Sequence, residues 1–334
     1  MRFTLVALTA LTVATTHLSA QRVDHPPRRI LSIGNYPCVV GLRLNFRDDD
    51  LERVDGMNVT IWAPYEPSTG TVRGFALGLP ITGAEDIHGL SLGAFGVAGG
   101  RDLEGITIAG LGAGAGRRMR GLTVGGIGVG SGGGIEGIAI GGIGAGTGGN
   151  ARGALIGGVG SGVGGNLEGL AIGGIGVGAG GNVRGVAVGG IGAGAGGDVH
   201  GIAIGGIGVG AGGTITGIAI GGAGVGSGSG IRGFAASVLG VGAPSLRGGF
   251  AAAAVGALHA EGIVVAPLLF RIERGGSFRG GSVSAVNYIR GSQTGLTIGI
   301  VNYARSVNGT QIGVINIIAD QRSHPVMPLV NWGQ

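Results

Sequence analysis

Glycine-rich strings that could cradle a phosphate are the first candidates for chemistry in this sequence. Residues 126–130 read Gly-Ile-Gly-Val-Gly, and similar strings recur many times between residues 89 and 248. A dinucleotide-binding loop needs one such string between a strand and a helix, with an acidic residue about 20 positions further on. Here the string belongs to a repeat, and no helical pattern follows it. We therefore expect no nucleotide site and no cofactor.

The other polar residues are too scattered to predict a catalytic or metal-binding site. The run Asp48, Asp49 and Asp50 lacks the alternating spacing of a dedicated calcium loop, and we interpret it as a solvated turn. No triad or pair of carboxylates can be defended from the spacing. The histidines lie far apart, at His17, His25, His88, His200, His259 and His324. We expect no enzyme, no catalytic or metal-binding residues and no small-molecule substrate, with His88 and His200 at an exposed corner.

The charged residues of the chain indicate its partners, and its first residues indicate its location. All 22 basic residues are Arg, and they are spread singly without interleaved aromatic residues, which argues against nucleic-acid binding. Residues 1–20 are typical of a signal peptide, because Arg2 precedes an apolar run that ends in small residues before Gln21. We therefore predict export and a mature chain that begins at Gln21. Cys38 is the only cysteine, which excludes an intrachain disulfide.

An internal repeat dominates the rest of the chain. A glycine precedes an apolar-small-apolar triplet at every sixteenth residue from Gly89 to Gly233. We number the repeat from this glycine as position 1. Looser copies begin at Gly41, Gly56 and Gly74, and the period changes again through Gly249, Gly295 and Gly309. We predict a lead-in segment at 21–40 and one β-repeat domain at 41–334, with irregular repeats at 41–88, a regular array at 89–248, and divergent repeats with a C-terminal cap at 249–334.

The repeat alternates with a period of two residues, which indicates β-strands. Positions 2 and 4 carry Ile, Leu or Val, positions 7, 9 and 11 carry apolar or small residues, and positions 6, 8, 10 and 12 are mostly glycine. Because the step from 4 to 7 is odd, we expect a bend at the Gly-Gly pair and the large residues at 2, 4 and 7 in the core. Glycines at 5, 6, 12 and 13 suit tight corners with positive φ, whereas those at 8 and 10 predict a flat face on which something packs.

This pattern predicts an all-β solenoid with two short strands per 16-residue coil. The alternative is a shallow antiparallel β-barrel or a ring of hairpins. Position 16 alternates in sign through Glu104, Arg120, Glu136, Arg152, Glu168 and Arg184. In a parallel coil, opposite charges would be neighbours about 4.8 Å apart, but duplication of a 32-residue unit explains the alternation equally well. We also expect a structural ladder of asparagines at Asn287, Asn302, Asn316 and Asn331.

The C-terminal repeats carry a resemblance to a known family. The matching residues are Gly295, Ile298, Gly299 and Asn302, then Gly309, Ile312, Gly313 and Asn316, then Pro328, Val330 and Asn331. This region resembles a family of exported bacterial surface repeat proteins and lipoproteins of the spirochaete and Bacteroidetes type, and the likeness extends over about residues 41–334. It implies a surface location and no particular chemistry. The chain differs in having no lipid-attachment cysteine after the signal, and in having Gly or Ala where relatives often have Asn or Gln.

These observations predict an exported structural or surface-interaction protein. The expected location is the cell surface, the outer-membrane region or the periplasm. The expected partner is a cell-envelope component or a second copy of the chain, bound through the flat Gly/Ala faces, because a large uncharged surface usually marks a partner. The alternative function is an outer-membrane β-barrel or a pore-like envelope protein. It is disfavoured because strands of about 5–7 residues are shorter than the roughly 9–11 that span a bilayer.

Overall fold

The computed structural model describes residues 29–64 and 69–333, and all regular structure in these residues is β-strand. The predicted signal peptide, the start at Gln21 and His25 lie outside the described residues. The strands of the irregular N-terminal coils are β1 (Arg29–Ile33), β2 (Cys38–Asn45), β3 (Arg53–Thr60), β4 (Thr71–Gly78), β5 (Ile81–Gly93) and β6 (Gly96–Ala109).

Through the regular array, a strand of seven or eight residues alternates with a strand of four. These are β7 (Gly112–Ala115), β8 (Arg118–Gly125), β9 (Gly128–Ser131), β10 (Gly134–Gly141), β11 (Gly144–Thr147), β12 (Asn150–Gly157), β13 (Gly160–Val163), β14 (Leu167–Gly173), β15 (Gly176–Ala179), β16 (Val183–Gly189), β17 (Gly192–Ala195), β18 (Val199–Gly205), β19 (Gly208–Ala211), β20 (Thr214–Gly221), β21 (Gly224–Ser227) and β22 (Gly230–Ser237). The divergent coils form β23 (Gly240–Ala251), β24 (Ala254–Ile318) and β25 (Val326–Gly333).

Each strand of the array pairs in parallel with the equivalent strand one coil further on. In β10 and β12, for example, Glu136 lies opposite Arg152 and Gly137 opposite Gly153, without a register shift. The four-residue strands form a second ladder in the same way, as β11 does with β13. The fold is therefore a parallel β-solenoid with two strands per coil, as the repeat predicts, and the antiparallel alternative is wrong.

Inward-facing and outward-facing residues alternate along each coil, but the inward-facing residues are not the ones that the sequence pattern predicts. In β10, Ile135 and Ala139 point inward with 2% and 0% of their surface exposed, whereas Ile138 points outward and is 45% exposed. Ile143, at position 7, lies at a corner and is 53% exposed. The prediction that positions 2, 4 and 7 form the core is therefore wrong. The interior is filled instead by position 15 and by positions 3, 5, 9 and 11, whose residues are mostly small, with valine common at position 9.

The glycine at position 1 holds successive coils in close register. These glycines have φ between +102° and +141°, and a Cβ on any of them would lie 2.0–2.3 Å from a backbone oxygen of the preceding coil. From Gly56 onward that oxygen belongs to the preceding glycine, so they form a continuous stack that we call the glycine column. Its members are Gly41, Gly56, Gly74, Gly89, Gly105, Gly121, Gly137, Gly153, Gly169, Gly185, Gly201, Gly217, Gly233, Gly248, Gly262, Gly280, Gly295 and Gly309. The column passes through Gly248, not through Gly249.

The corner glycines are required by close approach of the backbone. A Cβ on Gly141, at position 5, would lie 1.9 Å from the oxygen of Gly144 across the bend. A Cβ on Gly142 or Gly149 would lie 1.9 Å or 1.7 Å from an oxygen of the preceding coil. The corner role of positions 5, 6, 12 and 13 is thus confirmed. The expectation of positive φ there is wrong, because in the array that conformation falls on position 1.

Polar side chains fill the interior near both ends. At the N-terminal end, Asp48 is only 4% exposed, pairs with Arg43 and accepts a hydrogen bond from Thr60 Oγ1 at 2.5 Å, so the interpretation of Asp48 as part of a solvated turn is wrong. At the C-terminal end, the predicted asparagine ladder is confirmed through Asn287, Asn302 and Asn316, whose amides bond side chain to side chain at 2.7 Å. Asn331 donates instead to the backbone oxygen of Asn316, at 3.4 Å.

The last strand covers the end of the solenoid. β25 runs antiparallel to the final part of β24, with Gly333 opposite Gly309 and Val330 opposite Ile312. This pairing gives the final coil hydrogen-bond partners for its outer edge. An edge that is covered in this way is protected against pairing with further strands from other molecules.

Candidate interaction surfaces

The residues weighed for chemistry are dispersed in the structure. The string at 126–130 spans a corner and the start of β9, with no helix after it. His88 is half-buried and its Nδ1 lies 2.9 Å from Glu104 Oε2, whereas His200 is exposed. The Cys38 thiol donates to Glu52 Oε2 at 3.1 Å. Within 29–64 and 69–333, no group of His, Cys, Asp and Glu side chains is placed to hold a metal ion. No helix in these two ranges is long and apolar enough to cross a membrane.

One outward surface consists of glycine alone. The four-residue strands turn positions 9 and 11 inward, as at Val177, which is 5% exposed. Positions 8 and 10 face outward, and we call them the glycine face. It comprises Gly112, Gly114, Gly128, Gly130, Gly144, Gly146, Gly160, Gly162, Gly176, Gly178, Gly192, Gly194, Gly208, Gly210, Gly224, Gly226, Gly240 and Gly242.

The fold itself does not require these glycines. A Cβ at any of these positions except Gly146 would lie 3.5 Å or more from every neighbouring atom, and at Gly178 nothing lies within 4 Å. None of them has a positive φ. Glycine costs roughly 0.5–1 kcal/mol relative to alanine inside a strand, so the whole face costs on the order of 10 kcal/mol of potential stability. The packing of a single chain therefore does not account for glycine at these positions.

A second outward surface consists of branched aliphatic side chains. Positions 2 and 4 of the long strands point away from the interior, and we call the surface that they form from Gly89 to Gly221 the aliphatic face. Its exposed fractions include 45% at Ile138, 37% at Ile172 and 41% at Ile220. The corner residues at position 7 extend it, as at Ile175, which is 51% exposed. Isolated aliphatic residues on a surface are ordinary, but a continuous apolar strip of this length usually marks a contact.

Charged side chains at position 16 border the aliphatic face, and we call them the charge row. Arg120 lies between Glu104 and Glu136, with nitrogen–oxygen distances of 3.1 Å and 3.0 Å. Arg152 and Arg184 both contact Glu168, at 2.9 Å and 3.6 Å. The charges at position 16 stack in sequence order on one side of the solenoid, as predicted, but they lie within the long strands, as Glu136 does in β10 and Arg152 in β12, and not at a corner. Exposed pairs of this kind contribute about 0–1 kcal/mol each.

The corner before the charge row changes its chemistry along the solenoid. In the first coils, Arg117 Nε donates to Asp102 at 2.9 Å, and this hydrogen bond, with the positive charge, holds the pKa of Asp102 below its usual value. Further along, Asn150, Asn166 and Asn182 each accept a bond from the backbone N–H one coil on, at 2.7–2.8 Å. Glycine follows at position 13 of the next coil because a Cβ there would lie 2.2–2.4 Å from the Asn oxygen.

Two concavities interrupt these surfaces. A cavity of about 220 Å³ lies at Gly133 and Gly134, between the Asp–Arg corner of the first coils and the asparagine corner that begins at Asn150. Its lining includes Arg118, Glu136 and Arg152. Just beyond the C-terminal end of the aliphatic face, alanine replaces the larger residue at position 4 in two successive coils, at Ala236 and Ala251, and opens an apolar groove of about 550 Å³. Its lining includes Ile220, Ala236, Val238, Val265 and Pro267.

The aliphatic face is the surface that sequence reasoning missed. A usable signal was present at position 15, where an apolar residue always stands directly before position 16 and is 2% exposed or less. These residues are Leu103, Met119, Ile135, Ala151, Leu167, Val183, Val199, Ile215 and Ile231. If position 15 is inside, then strict alternation turns positions 2 and 4 outward.

No protein-family model, curated protein or solved structure matches this chain. The resemblance to exported surface repeat proteins therefore stays a prediction from the motifs in the C-terminal coils.

Proposed function

We propose that this chain is an exported structural protein that binds a flat, extended layer of the cell envelope through its glycine face. The observation that carries the proposal is the room above Gly176, Gly178 and their equivalents, where the fold leaves space for a side chain and the sequence has none. A surface without side chains allows another surface to approach the backbone closely.

Rigidity supports the same interpretation. The backbone of each four-residue strand is fixed by parallel pairing on both sides, as β15 is with β13 and β17. A partner that docks on such a ladder orders few side chains on binding, so the entropic cost of association is small. A structural role also fits the described residues, whose polar groups are used in stacking coils and are not gathered around a reacting atom.

The test compares two substitutions at neighbouring positions of β15. Gly176→Val fills the glycine face, and its Cβ would lie 3.6 Å from the nearest atom, so we expect the free energy of unfolding to stay within about 1 kcal/mol of the wild type. Val177→Ala opens a cavity in the interior and is expected to cost about 1–3 kcal/mol. Binding of the purified mature chain to cell-envelope fractions should fall at least tenfold for Gly176→Val and stay unchanged for folded Val177→Ala. Equal binding by the two variants would contradict the proposal.

Export is tested separately. Mass spectrometry of the protein from its own cells should find Gln21 as the first residue, in a fraction outside the cytoplasm. Retention of Met1 on soluble cytoplasmic protein would overturn the export proposal and leave the docking experiment unaffected.

A further inference from the structure

We propose that two copies of this chain pack their aliphatic faces together in antiparallel orientation, about a twofold axis that lies between the coils of Gly137 and Gly153. This surface is distinct from the glycine face, so the proposal does not depend on the function proposed above.

The aliphatic face has the size that a stable dimer needs. The eight coils from Gly89 to Gly201 stack at about 4.8 Å and extend for about 38 Å. Positions 16 to 5, before the corner, span about 17 Å across the coil. The product is about 650 Å² on each copy, within the roughly 600–1,000 Å² that one partner buries in a standard protein interface.

The charge row is complementary to the same row of a second copy that runs in the opposite direction. From His88 to His200 it reads His-Glu-Arg-Glu-Arg-Glu-Arg-His. A twofold axis parallel to the strands, between Glu136 and Arg152, places this row opposite the same row of the partner in reverse order. Each Glu then faces an Arg, and His88 faces His200. The rows form one rim of the interface, where charge complementarity fixes register.

The row of ion pairs within one chain is interrupted at the position of the proposed twofold axis. Contacts of 4.0 Å or less run from His88 to Glu136 and again from Arg152 to Arg184. Among the described residues, no ion pair joins Glu136 to Arg152, and the cavity of about 220 Å³ opens between them. The row's centre of symmetry thus coincides with its one gap within 88–184. In the proposed dimer, Glu136 meets Arg152 of the second copy there.

Other arrangements of the same faces are disfavoured. A shift of one coil would place Glu against Glu and Arg against Arg along the whole row, and a shift of two coils would keep only four of the six facing Glu–Arg pairs. Parallel copies would place the charge row against the apolar corner at position 7. Like-charge contacts and unpaired charges of this kind exclude wrong registers, because they are not compensated in the wrong complex.

The decisive test inverts the whole charge row. The variant carries Glu104→Arg, Arg120→Glu, Glu136→Arg, Arg152→Glu, Glu168→Arg and Arg184→Glu. Signs still alternate within each chain, and each chain remains complementary to its own reverse. The composition is unchanged, so the wild type is labelled with ¹⁵N to separate the masses in native mass spectrometry. We expect dimers of both pure kinds, with mixed dimers below their statistical share. A mixed pair regains opposite charges only after a shift of one coil, which removes one facing Glu–Arg pair and one coil of contact.

Each other outcome overturns the proposal. A statistical mixture means that the charge row does not set the register, and a preference for mixed dimers means that like charges face each other in the wild type. A wild type that stays monomeric at high concentration shows that the faces do not pair.

A second pair of variants locates the interface. Ile138→Ser should raise the dimer dissociation constant at least tenfold in sedimentation velocity, whereas Gly178→Ser, which fills the glycine face, should leave it unchanged. The reverse pattern would place the dimer on the glycine face and contradict the proposal. A wild type that is monomeric in solution but binds phosphatidylglycerol vesicles through Ile138 would assign the aliphatic face to lipid and would also contradict it. Gly178→Ser changes only the glycine face, so it tests envelope docking and not dimerisation. Either proposal can therefore fail while the other holds.

Discussion

The regular array and the coils of β24 share the glycine column but have interiors of different chemistry. In the array, the interior holds small residues such as Ala139 and Ala145 together with larger apolar side chains, above all those of position 15. In β24, Asn287 and Asn302 are fully buried and bond along the axis. The rings of Phe270 and Phe278 pack edge to face in the same strand, with centroids 4.9 Å apart.

The comparison shows that both regions need the glycine column, whereas the chemistry of the interior can vary. Gly153 in the array and Gly295 in β24 have φ of +123° and +114°, and a Cβ on either would lie within 2.2 Å of the preceding glycine oxygen. The column therefore sets how coils stack in both regions. The interior sets how much each coil contributes to stability, by apolar burial in the array and by a hydrogen-bonded ladder in β24.

The largest effect is expected at the column. Gly153→Ala and Gly295→Ala should each lower the free energy of unfolding by at least about 3 kcal/mol, because the new Cβ meets a backbone oxygen and φ is unfavourable for any side chain. Gly178→Ala is the matched control, since nothing lies within 4 Å of its Cβ, and it should be neutral or stabilising by up to about 1 kcal/mol. Denaturant unfolding measures all three. A large loss at Gly153 with none at Gly295 would mean that the two regions do not share the column.

The next effect distinguishes the two interiors. Asn302 accepts a bond from Asn287 and donates to Asn316, both at 2.7 Å, in a fully buried site. Asn302→Leu leaves buried amide groups unpaired on both sides and should cost about 2–5 kcal/mol. The surface ladder of the array is the comparison: Asn182→Ala removes one bond to a backbone N–H and should cost about 0.5–1.5 kcal/mol. Thermal unfolding that ranks Asn182→Ala as the more harmful would contradict the assigned role of the buried ladder.

A smaller effect concerns acid. Arg117 lowers the pKa of Asp102 in the folded state, so this carboxylate contributes stability above its unfolded pKa of about 3.9, and the contribution is lost as the pH falls through the folded value. Asp102→Asn should lower stability at pH 7 by about 1 kcal/mol and reduce the loss between about pH 5 and pH 2. Asn302→Leu removes no titratable group and should leave the slope of stability against pH unchanged. Identical slopes for wild type and Asp102→Asn would refute the role of this pair.

The sequence predicts the stacking well because the repeat period reports it directly. Sixteen-residue spacing places Glu136 beside Arg152 in adjacent coils, and steps of 15 and 14 residues align Asn287, Asn302 and Asn316 in the ladder; the structure has both. The direction of the side chains was not predictable in the same way. Alternation is compatible with either face inside, and the rule that large apolar residues are buried points positions 2 and 4 inward.

The limited space inside each coil explains why that rule fails here. The corner at Gly141 brings the chain back so closely that a Cβ would lie 1.9 Å from Gly144, so the space between the two strands of a coil is narrow. Most residues at positions 3, 5 and 11 are accordingly small, with Leu155 and Val163 as larger buried exceptions. The burial of Asp48 could not be predicted from its neighbours in sequence alone. Arg43 and Asn45 donate to it from nearby, but Asn58 and Thr60, which complete its hydrogen bonds, come from the next strand.

The large residues of positions 2 and 4 lie outside the solenoid, and position 15 lies inside. Ile135 and Ile138 test this arrangement with the same substitution, three residues apart in β10, at a concentration where the chain is monomeric. Ile135→Ala should lower the free energy of unfolding by about 2–5 kcal/mol, because it leaves a cavity at a site that is 2% exposed. Ile138→Ala should cost less than about 1 kcal/mol. A larger loss for Ile138→Ala than for Ile135→Ala would show that the aliphatic face is the core, and would contradict the account.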